Sequence, residues 1–335
     1  MNLRHSLVAT LTAPRAIEWR EERLPEPGPH DLLCRTEVSA ISPGTELAAY
    51  RGATPLRAGV GYPRLTGYCN VARVVAVGEA VTAYRAGDRI LSFMSHRTAF
   101  VISGNDVLLR VPETVRSEDA VCAYLFHLGY NAVLRADVRA GSSVCVLGLG
   151  ALGLTTVACA AMAGADVRAV SDHPHPSSIA REFGARDVVK RADVAGMLDR
   201  GELPYADVVV ATTNAWTDWE TALRLAAQQG MVAVLGFPGR DQEPPASNPL
   251  DSRYFYTKQL RIEAVGLSPE KADSRGFSRF NERDNLAFLV DRIRTGHLTP
   301  GKLVSGTFAG TDLAQAYESL ARRDNSPITY LLEWS

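Results

Sequence analysis

An α/β fold is predicted, with a parallel, doubly wound sheet accompanied by a smaller β-rich barrel. Three observations predict it. Short β-rich runs between turn signals fill the first third of the chain, strands alternate with helical stretches through the middle, and two helices and a strand make up the tail. At 335 residues the chain is long enough to bury two cores.

Up to about Pro112 the runs Leu32–Ser39, Val71–Val77, Arg89–Phe93, Ala99–Ser103 and Val107–Val111 lie between signals such as AGD, SGND and PEPG. That spacing suits antiparallel strands rather than βαβ units. Around Ser117–Arg135 the pattern turns helical, with Ser117-Glu118-Asp119 as its start. From Val144 to about Gly266 the strands Val144–Leu147, Val167–Val170, Ala206–Ala211, Met231–Leu235 and Arg261–Val265 alternate with helices, as a parallel sheet requires. Helices follow at Asn285–Thr295 and Leu313–Ala321, then a strand near Ile328–Glu333. The tail is expected to rejoin the barrel. Residues 1–122 and 268–335 then form one domain and 123–267 an inserted second one. Asp241–Asn248 is expected to be an exposed loop.

Composition narrows the function classes. A hydrophobic content of 46%, a charged content of 22% and a net charge of −1 describe a soluble globular protein with no general attraction to nucleic acid or acidic membranes. The five cysteines (Cys34, Cys69, Cys122, Cys145, Cys159) are scattered and never form a CxxC pair, which suits a reducing cytoplasm and no zinc cluster. The N-terminal apolar run is too short for a signal peptide. Ala140–Ala165 is apolar enough to imitate a membrane span, but its glycines and its change from strand to helix pattern mark a buried strand and helix.

The most informative segment is Val144–Asp172. A strand enters Gly148, Gly150 and Gly153, a helical run follows, and a second strand ends at Asp172. Such glycines permit a tight turn, close approach of a pyrophosphate and tight helix–strand packing, and the helix N-terminus offers free amides. Asp172 stands where a carboxylate holds the adenosine ribose and repels a 2′-phosphate, so NAD is expected over NADP. The expected cofactor contacts are Gly148, Gly150, Ala151, Leu152, Gly153 and Asp172, joined by the loops Thr212-Thr213-Asn214, Gly236-Phe237 and Val265-Gly266-Leu267 after the later strands, acting mainly through their backbone.

With PEPGPHDLLCRTEVSAIS, VARVVAVGEAVTAYRAGDRI and VRAGSSVCVLGLGALGL in this order, the whole chain resembles the medium-chain dehydrogenase/reductase superfamily. The resemblance implies a GroES-like catalytic barrel, a Rossmann domain, a small-molecule substrate and a homodimer pairing near Arg261–Val265. Zinc-dependent members carry Cys-Gly-Thr-Asp and Gly-His-Glu; here the matching residues are Pro43-Gly44-Thr45-Glu46 and Gly67-Tyr68-Cys69, and the third ligand position falls near Tyr124. The four-cysteine lobe of structural zinc is missing between Asp88 and Phe100. No metal is expected, because proline cannot ligate and two phenols with one thiol are a poor zinc set. SPGTELAAYRG, TGYCNVARVVAVG and Ser278–Leu298 are similar to a zinc-less subgroup, the one that contains bacteriochlorophyllide a dehydrogenase, whose substrate is not carried over.

Without zinc, a protein group must stabilise the substrate oxygen and exchange its proton. The resemblance places the vacated ligand positions beside the nicotinamide. Tyr68 and Tyr124 there are either proton donors and acceptors or aromatic fillers of the lost metal pocket. Thr45 is a relay hydroxyl or closes a turn over Pro43-Gly44-Thr45. Glu46 is a catalytic carboxylate or, more simply, the partner of Arg51. His127, on a helix expected to line the cleft, is a general base or a core histidine. Cys69 is expected to be a small buried residue, and Arg51, Arg57 and Arg64 mostly solvated charge. The function expected is zinc-independent, NAD(H)-dependent interconversion of a secondary alcohol and a ketone. An enoyl-type C=C reductase and a non-catalytic dinucleotide-binding protein are the alternatives.

Overall fold

The computed structural model describes residues 3–56, 59–270, 279–322 and 324–334. They divide into two compact units, the breaks falling after Tyr124 and after Pro269.

In the first unit, β1 (His5–Ala13) and β2 (Ala16–Arg23) form an antiparallel hairpin turned at Pro14-Arg15. Next come β3 (Asp31–Ala40), α1 (Pro43–Arg51), β4 (Arg64–Leu65), β5 (Cys69–Val77), β6 (Arg89–Ser92), β7 (Ala99–Ser103), β8 (Leu109–Val111), α2 (Ser117–Ala120) and α3 (Ala123–Arg135), the last of which crosses the break. β3 buries alternate residues through most of its length, the period of a strand with one face on a core. Leu32, Cys34, Ala72, Val74, Ile90, Phe100 and Ile102 form that core.

The second unit holds β9 (Ser143–Leu147), α4 (Ala151–Met162), β10 (Asp166–Val170), α5 (Pro174–Glu182), β11 (Asp187–Val189), α6 (Arg191–Asp199), β12 (Ala206–Ala211), α7 (Trp216–Leu225), β13 (Ala226–Val234) and β14 (Arg261–Ala264). Its six strands run in the order β11-β10-β9-β12-β13-β14, and every pair is parallel. The order reverses beside β9, the point at which such sheets open a crevice at their carboxyl ends. Leu147 pairs with Val170 on one side and Ala211 on the other, so Gly148, Ser171 and Thr212 leave the sheet at one level.

The chain re-enters the first unit with α8 (Glu282–Arg294), β15 (Val304–Ala309), α9 (Leu313–Arg322) and β16 (Thr329–Glu333). β16 joins β15 to β3, completing the order β15-β16-β3-β5-β6-β8, with β7 also paired to β3. α9 buries Leu313, Ala316, Tyr317 and Leu320, the i, i+3, i+4, i+7 stripe of an amphipathic helix.

The α/β class holds, with corrections to its parts. The helix expected over Ser117–Arg135 is broken at Val121-Cys122, where the Cys122 amide bonds only three residues back, to Asp119 (3.3 Å). Pro43-Gly44-Thr45 is not a turn but the opening of α1. Proline's fixed φ suits the first helical position, where its missing amide costs nothing. β13 begins at Ala226 rather than Met231, with a register shift opposite Ala206 and Val208. Ala140–Ala165 is a turn, β9 and α4, and no helix among the described residues is long and apolar enough to cross a membrane. Asp241–Asn248 is a loop, exposed apart from half-buried Pro245.

Candidate functional site

The three glycines after β9 have three separate reasons. Gly148 turns the chain at φ 88°, in the left-handed region, and a Cβ there would meet Thr213 Cγ2 at 2.4 Å. Gly153 packs so closely that a Cβ would lie 1.9 Å from the Gly148 carbonyl oxygen. Gly150 precedes α4 in extended conformation and is exposed, with nothing near an added Cβ and no side chain capping the helix. The first-turn amides of α4, beginning at half-buried Ala151 and Leu152, therefore present an uncapped, positive helix end. A diphosphate fits this cradle, which side chains would fill.

The loops assigned to the cofactor are tied to the same turn. Thr212 Oγ1 donates to the carbonyls of Leu147 (2.7 Å) and Gly148 (3.1 Å), and Asn214 Oδ1 accepts from the Phe237 amide (3.1 Å). The side chains thus fix the loop geometry, a larger part than the expected emphasis on backbone groups gave them. Gly236 lies against the Thr212–Thr213 backbone, where a Cβ would meet Thr212 C at 2.6 Å. Val265 is buried, Gly266 half-buried, and Leu267 exposed.

Asp172, just past β10, is not a free carboxylate. Its Oδ1 accepts the Arg191 amide (2.9 Å) and its Oδ2 the Arg191 Nη1 (3.0 Å). Partial burial works to raise its pKa, but these Arg191 bonds outweigh it and hold the carboxyl below its usual range. The same guanidinium grips Asp218 of α7 with Nε (2.8 Å) and Nη2 (3.0 Å), and Asp218 Oδ2 also accepts Thr213 Oγ1 (2.7 Å).

In the barrel unit Tyr68, Tyr124 and Phe93 form an aromatic corner. The Tyr68 and Tyr124 ring centroids are 5.7 Å apart and those of Phe93 and Tyr124 4.8 Å, both edge-on. Tyr68 donates its hydroxyl to Ser42 Oγ (2.5 Å), with the Thr45 hydroxyl a second partner. Burial keeps this phenol protonated, raising its pKa further above an already high ordinary value. Burial does the same for Tyr124, whose hydroxyl bonds Glu282 at the start of α8. The Glu282 carboxyl is itself raised by burial and by nearby Glu270.

Glu46 corrects an expectation. It does not pair with Arg51, which donates to the Ala321 carbonyl (2.8 Å). Five helical positions put the two side chains on different faces of α1. Glu46 is instead 2% exposed: Oε1 accepts the Ser42 amide (2.6 Å), and Oε2 meets His96 Nε2 (2.8 Å) and the Tyr317 hydroxyl (2.6 Å). His96 Nδ1 continues to Ser39 Oγ (2.8 Å), which accepts Trp334 Nε1 (3.0 Å), and Tyr317 shares a bond with Thr66 Oγ1 (2.6 Å). Carboxylate, imidazole and hydroxyl here imitate a nucleophilic triad, but Ser39 and His96 are fully buried and beyond reach of a substrate.

His127 lies in the other unit, 1% exposed, its pKa lowered by burial to about 4. It is a neutral imidazole at pH 7, with little basicity to offer. Cys69 and Cys122 are buried thiols, Cys69 pushed well up and Cys122 to about 12 by desolvation. Arg64 is half-buried in β4, and Arg57 lies outside the described residues, as does Ser278 at the head of Ser278–Leu298. Sequence reasoning missed Ser42, His96, Tyr317, Glu282, Arg191 and Asp218. Glu282, Arg191 and Asp218 left a local signal, as charged residues in the first turns of helices after strands.

Tetrahedral zinc does not fit this donor set. Pro43 offers no ligating atom, the Tyr68 and Tyr124 hydroxyls are engaged with Ser42 and Glu282, and Cys69 is held as a thiol. Among the described residues no group of three or more histidine, cysteine or acidic side chains is placed to hold a metal.

A family model described as zinc-binding dehydrogenase matches residues 151–280. An alcohol dehydrogenase of Cupriavidus necator is 24% identical over 371 aligned positions, covering 94% of this chain and 95% of its own. The NADP-dependent isopropanol dehydrogenase of Thermoanaerobacter brockii is also 24% identical, over 88% of this chain and 90% of its own. The crystal structure of 2R,3R-butanediol dehydrogenase from Bacillus subtilis superposes with a TM-score of 0.81 at 18% identity, covering 98% of this chain and 100% of that one, so the fold is shared. Glycine turn, parallel sheet and returning barrel agree with these matches: the chain shares its fold with these dehydrogenases and, over residues 151–280, is similar to the zinc-binding dehydrogenase family.

Proposed function

We propose that this protein is a zinc-independent, cytoplasmic oxidoreductase that uses NAD(H) to interconvert a secondary alcohol and a ketone on a small organic molecule, within the zinc-less subgroup named above. The observation that carries this reading is the Tyr68 phenol, protonated and hydrogen-bonded to Ser42 at a position where the family resemblance expects a zinc ligand. A nicotinamide dinucleotide, when bound, supplies or takes the hydride. The Gly148–Gly153 turn would hold its diphosphate, and Asp172 would accept the ribose hydroxyls with lone pairs that Arg191 leaves open.

Tyr68 then donates its hydrogen bond and proton to the substrate oxygen, a bond that Ser42 Oγ receives in this structure. Burial keeps it protonated at neutral pH, the form that donates to a ketone oxygen. Ser42 and Thr45 orient the phenol, and Tyr124 with Phe93 walls the corner. Thr45 serves here as a positioning hydroxyl in the first turn of α1. Glu46 positions α1 from beneath through the Ser42 amide. His127 is assigned to the core of its unit. β14, at the end of the parallel sheet, is the edge on which a second copy pairs in the homodimer we propose.

The test is a panel of ketones, secondary alcohols and enones, assayed with NADH, NAD, NADPH and NADP on chelator-treated protein. Ketone reduction with NADH in the absence of zinc is expected. Turnover only after zinc is restored would overturn the metal-free reading. Turnover confined to enones would favour the C=C reductase, and cofactor binding without turnover on any substrate the non-catalytic protein.

A further inference from the structure

Arg191 is shared between two carboxylates of very different exposure. Asp172 is 49% exposed at the side chain and Asp218 only 5%. The buried acid takes two of the three guanidinium nitrogens in a fork, the geometry that fixes an arginine most firmly. Asp218 is fixed in turn by its place in the first turn of α7 and by Thr213, on the loop that packs against Gly148. The third nitrogen and the Arg191 backbone amide hold the two oxygens of Asp172. A chain of charge-assisted bonds thus runs from the loop beside the glycine turn to the acid at the ribose position.

We propose that Arg191 and Asp218 are the positioning residues that set cofactor preference: the fork on Asp218 keeps the guanidinium on Asp172 and away from a 2′-phosphate. The inference rests on the reading of Asp172 as the ribose acid. The three side chains together carry one negative charge, so the rim repels a phosphate dianion although it contains an arginine. Neutralising Asp218 brings the trio to zero and frees two guanidinium nitrogens. A planar fork released beside the ribose is suited to bidentate phosphate binding. Preference then lies in a residue that touches neither cofactor directly.

The experiment is equilibrium binding of NADH, NADPH, 5′-AMP and adenosine 2′,5′-bisphosphate to the full chain, followed by intrinsic fluorescence and calorimetry. Wild type should bind NADH more tightly than NADPH. Asp218→Asn keeps the shape and the Thr213 contact, and should improve NADPH relative to NADH at least tenfold, with the bisphosphate gaining in parallel over 5′-AMP. Arg191→Gln should weaken NADH severalfold and leave NADPH poor, because Asp172 is then neither held nor neutralised. Arg191→Lys, at a half-buried position, serves where Asp218→Asn does not fold. It keeps the charge but not the fork, and should also narrow the preference. Wild type favouring NADPH would sink the ribose-acid reading itself. Wild type favouring NADH, with the ratio unmoved within twofold in Asp218→Asn or Arg191→Lys, would overturn the Arg191–Asp218 assignment alone.

Discussion

Glu46 in the barrel unit and Asp172 at the rim of the parallel sheet are both carboxylates gripped by several donors, yet their side chains are 2% and 49% exposed. Glu46 spends its oxygens on His96, Tyr317 and the Ser42 amide, all within the core. Asp172 accepts one bond per oxygen from Arg191 and keeps lone pairs toward solvent. The same functional group is therefore a structural keystone in one place and, in the function proposed, a ligand contact in the other. Burial, rather than the number of hydrogen bonds, separates them. Removing an acid from a buried network leaves donors stranded without water, whereas a rim acid is replaced by solvent at small cost.

The largest effect should follow Glu46→Ala. Urea unfolding is expected to show a loss of about 3 kcal/mol or more, since several buried hydrogen-bonding groups lose their partner at once; a change below about 1 kcal/mol would erase the contrast with Asp172. Tyr68→Phe should leave the unfolding midpoint near wild type, but lower kcat for ketone reduction about a hundredfold, as expected for a lost general acid. NADH affinity should stay within about twofold, since the change removes a proton donor rather than a binding group. Wild-type turnover in that variant would leave Tyr68 as an aromatic filler.

His127 tests the same rule in the second unit. Its folded pKa is about 4, against about 6.5 in the unfolded chain. The unfolded state therefore binds more protons between these values, and stability falls as pH drops through that window. From pH 7 to pH 5 the imidazole should cost about 2 kcal/mol, a slope that His127→Gln should flatten in unfolding measured at the two pH values. Asp172→Ala should show the smallest stability change, under about 1 kcal/mol, as an exposed pair predicts. Its signature is in binding instead. NADH should bind about tenfold more weakly, equivalent to about 1.4 kcal/mol, and discrimination against NADPH should shrink. A large loss of stability with intact discrimination would invert the comparison.

How much was legible in the sequence follows the same division. The glycine turn could be read because each of its residues answers a local demand: Gly148 a positive φ, Gly153 a close approach, Gly150 an open helix start. Alternating apolar runs disclosed most strands, since β3 and β12 bury residues with the periodicities their sequences show. The Glu46–His96 pair was invisible, because its partners are 50 residues apart and meet only when α1 packs near the segment after β6. Pro43-Gly44 misled for a different reason: both are turn formers, and the first position of a helix is the one place where proline assists it. Asp172 follows β10 as its sequence position suggested, but the sequence disclosed nothing of its partner. Its arginine comes 19 residues later, across β11, where no periodicity connects the two.

β16 is the last strand among the described residues, and it pairs with β3, the third. Trp334, one residue further on, bonds Ser39 of the same early strand. The parallel sheet, by contrast, is built from one uninterrupted stretch that ends at Pro269. During synthesis from the N-terminus, the sheet is complete while the barrel still lacks the strand that joins β15 to β3. A chain cut before β16 thus keeps every strand of the parallel sheet and leaves β3 with an open edge, a template for unwanted strand pairing. The barrel's closure is contingent on β16, whereas the parallel sheet is whole without it.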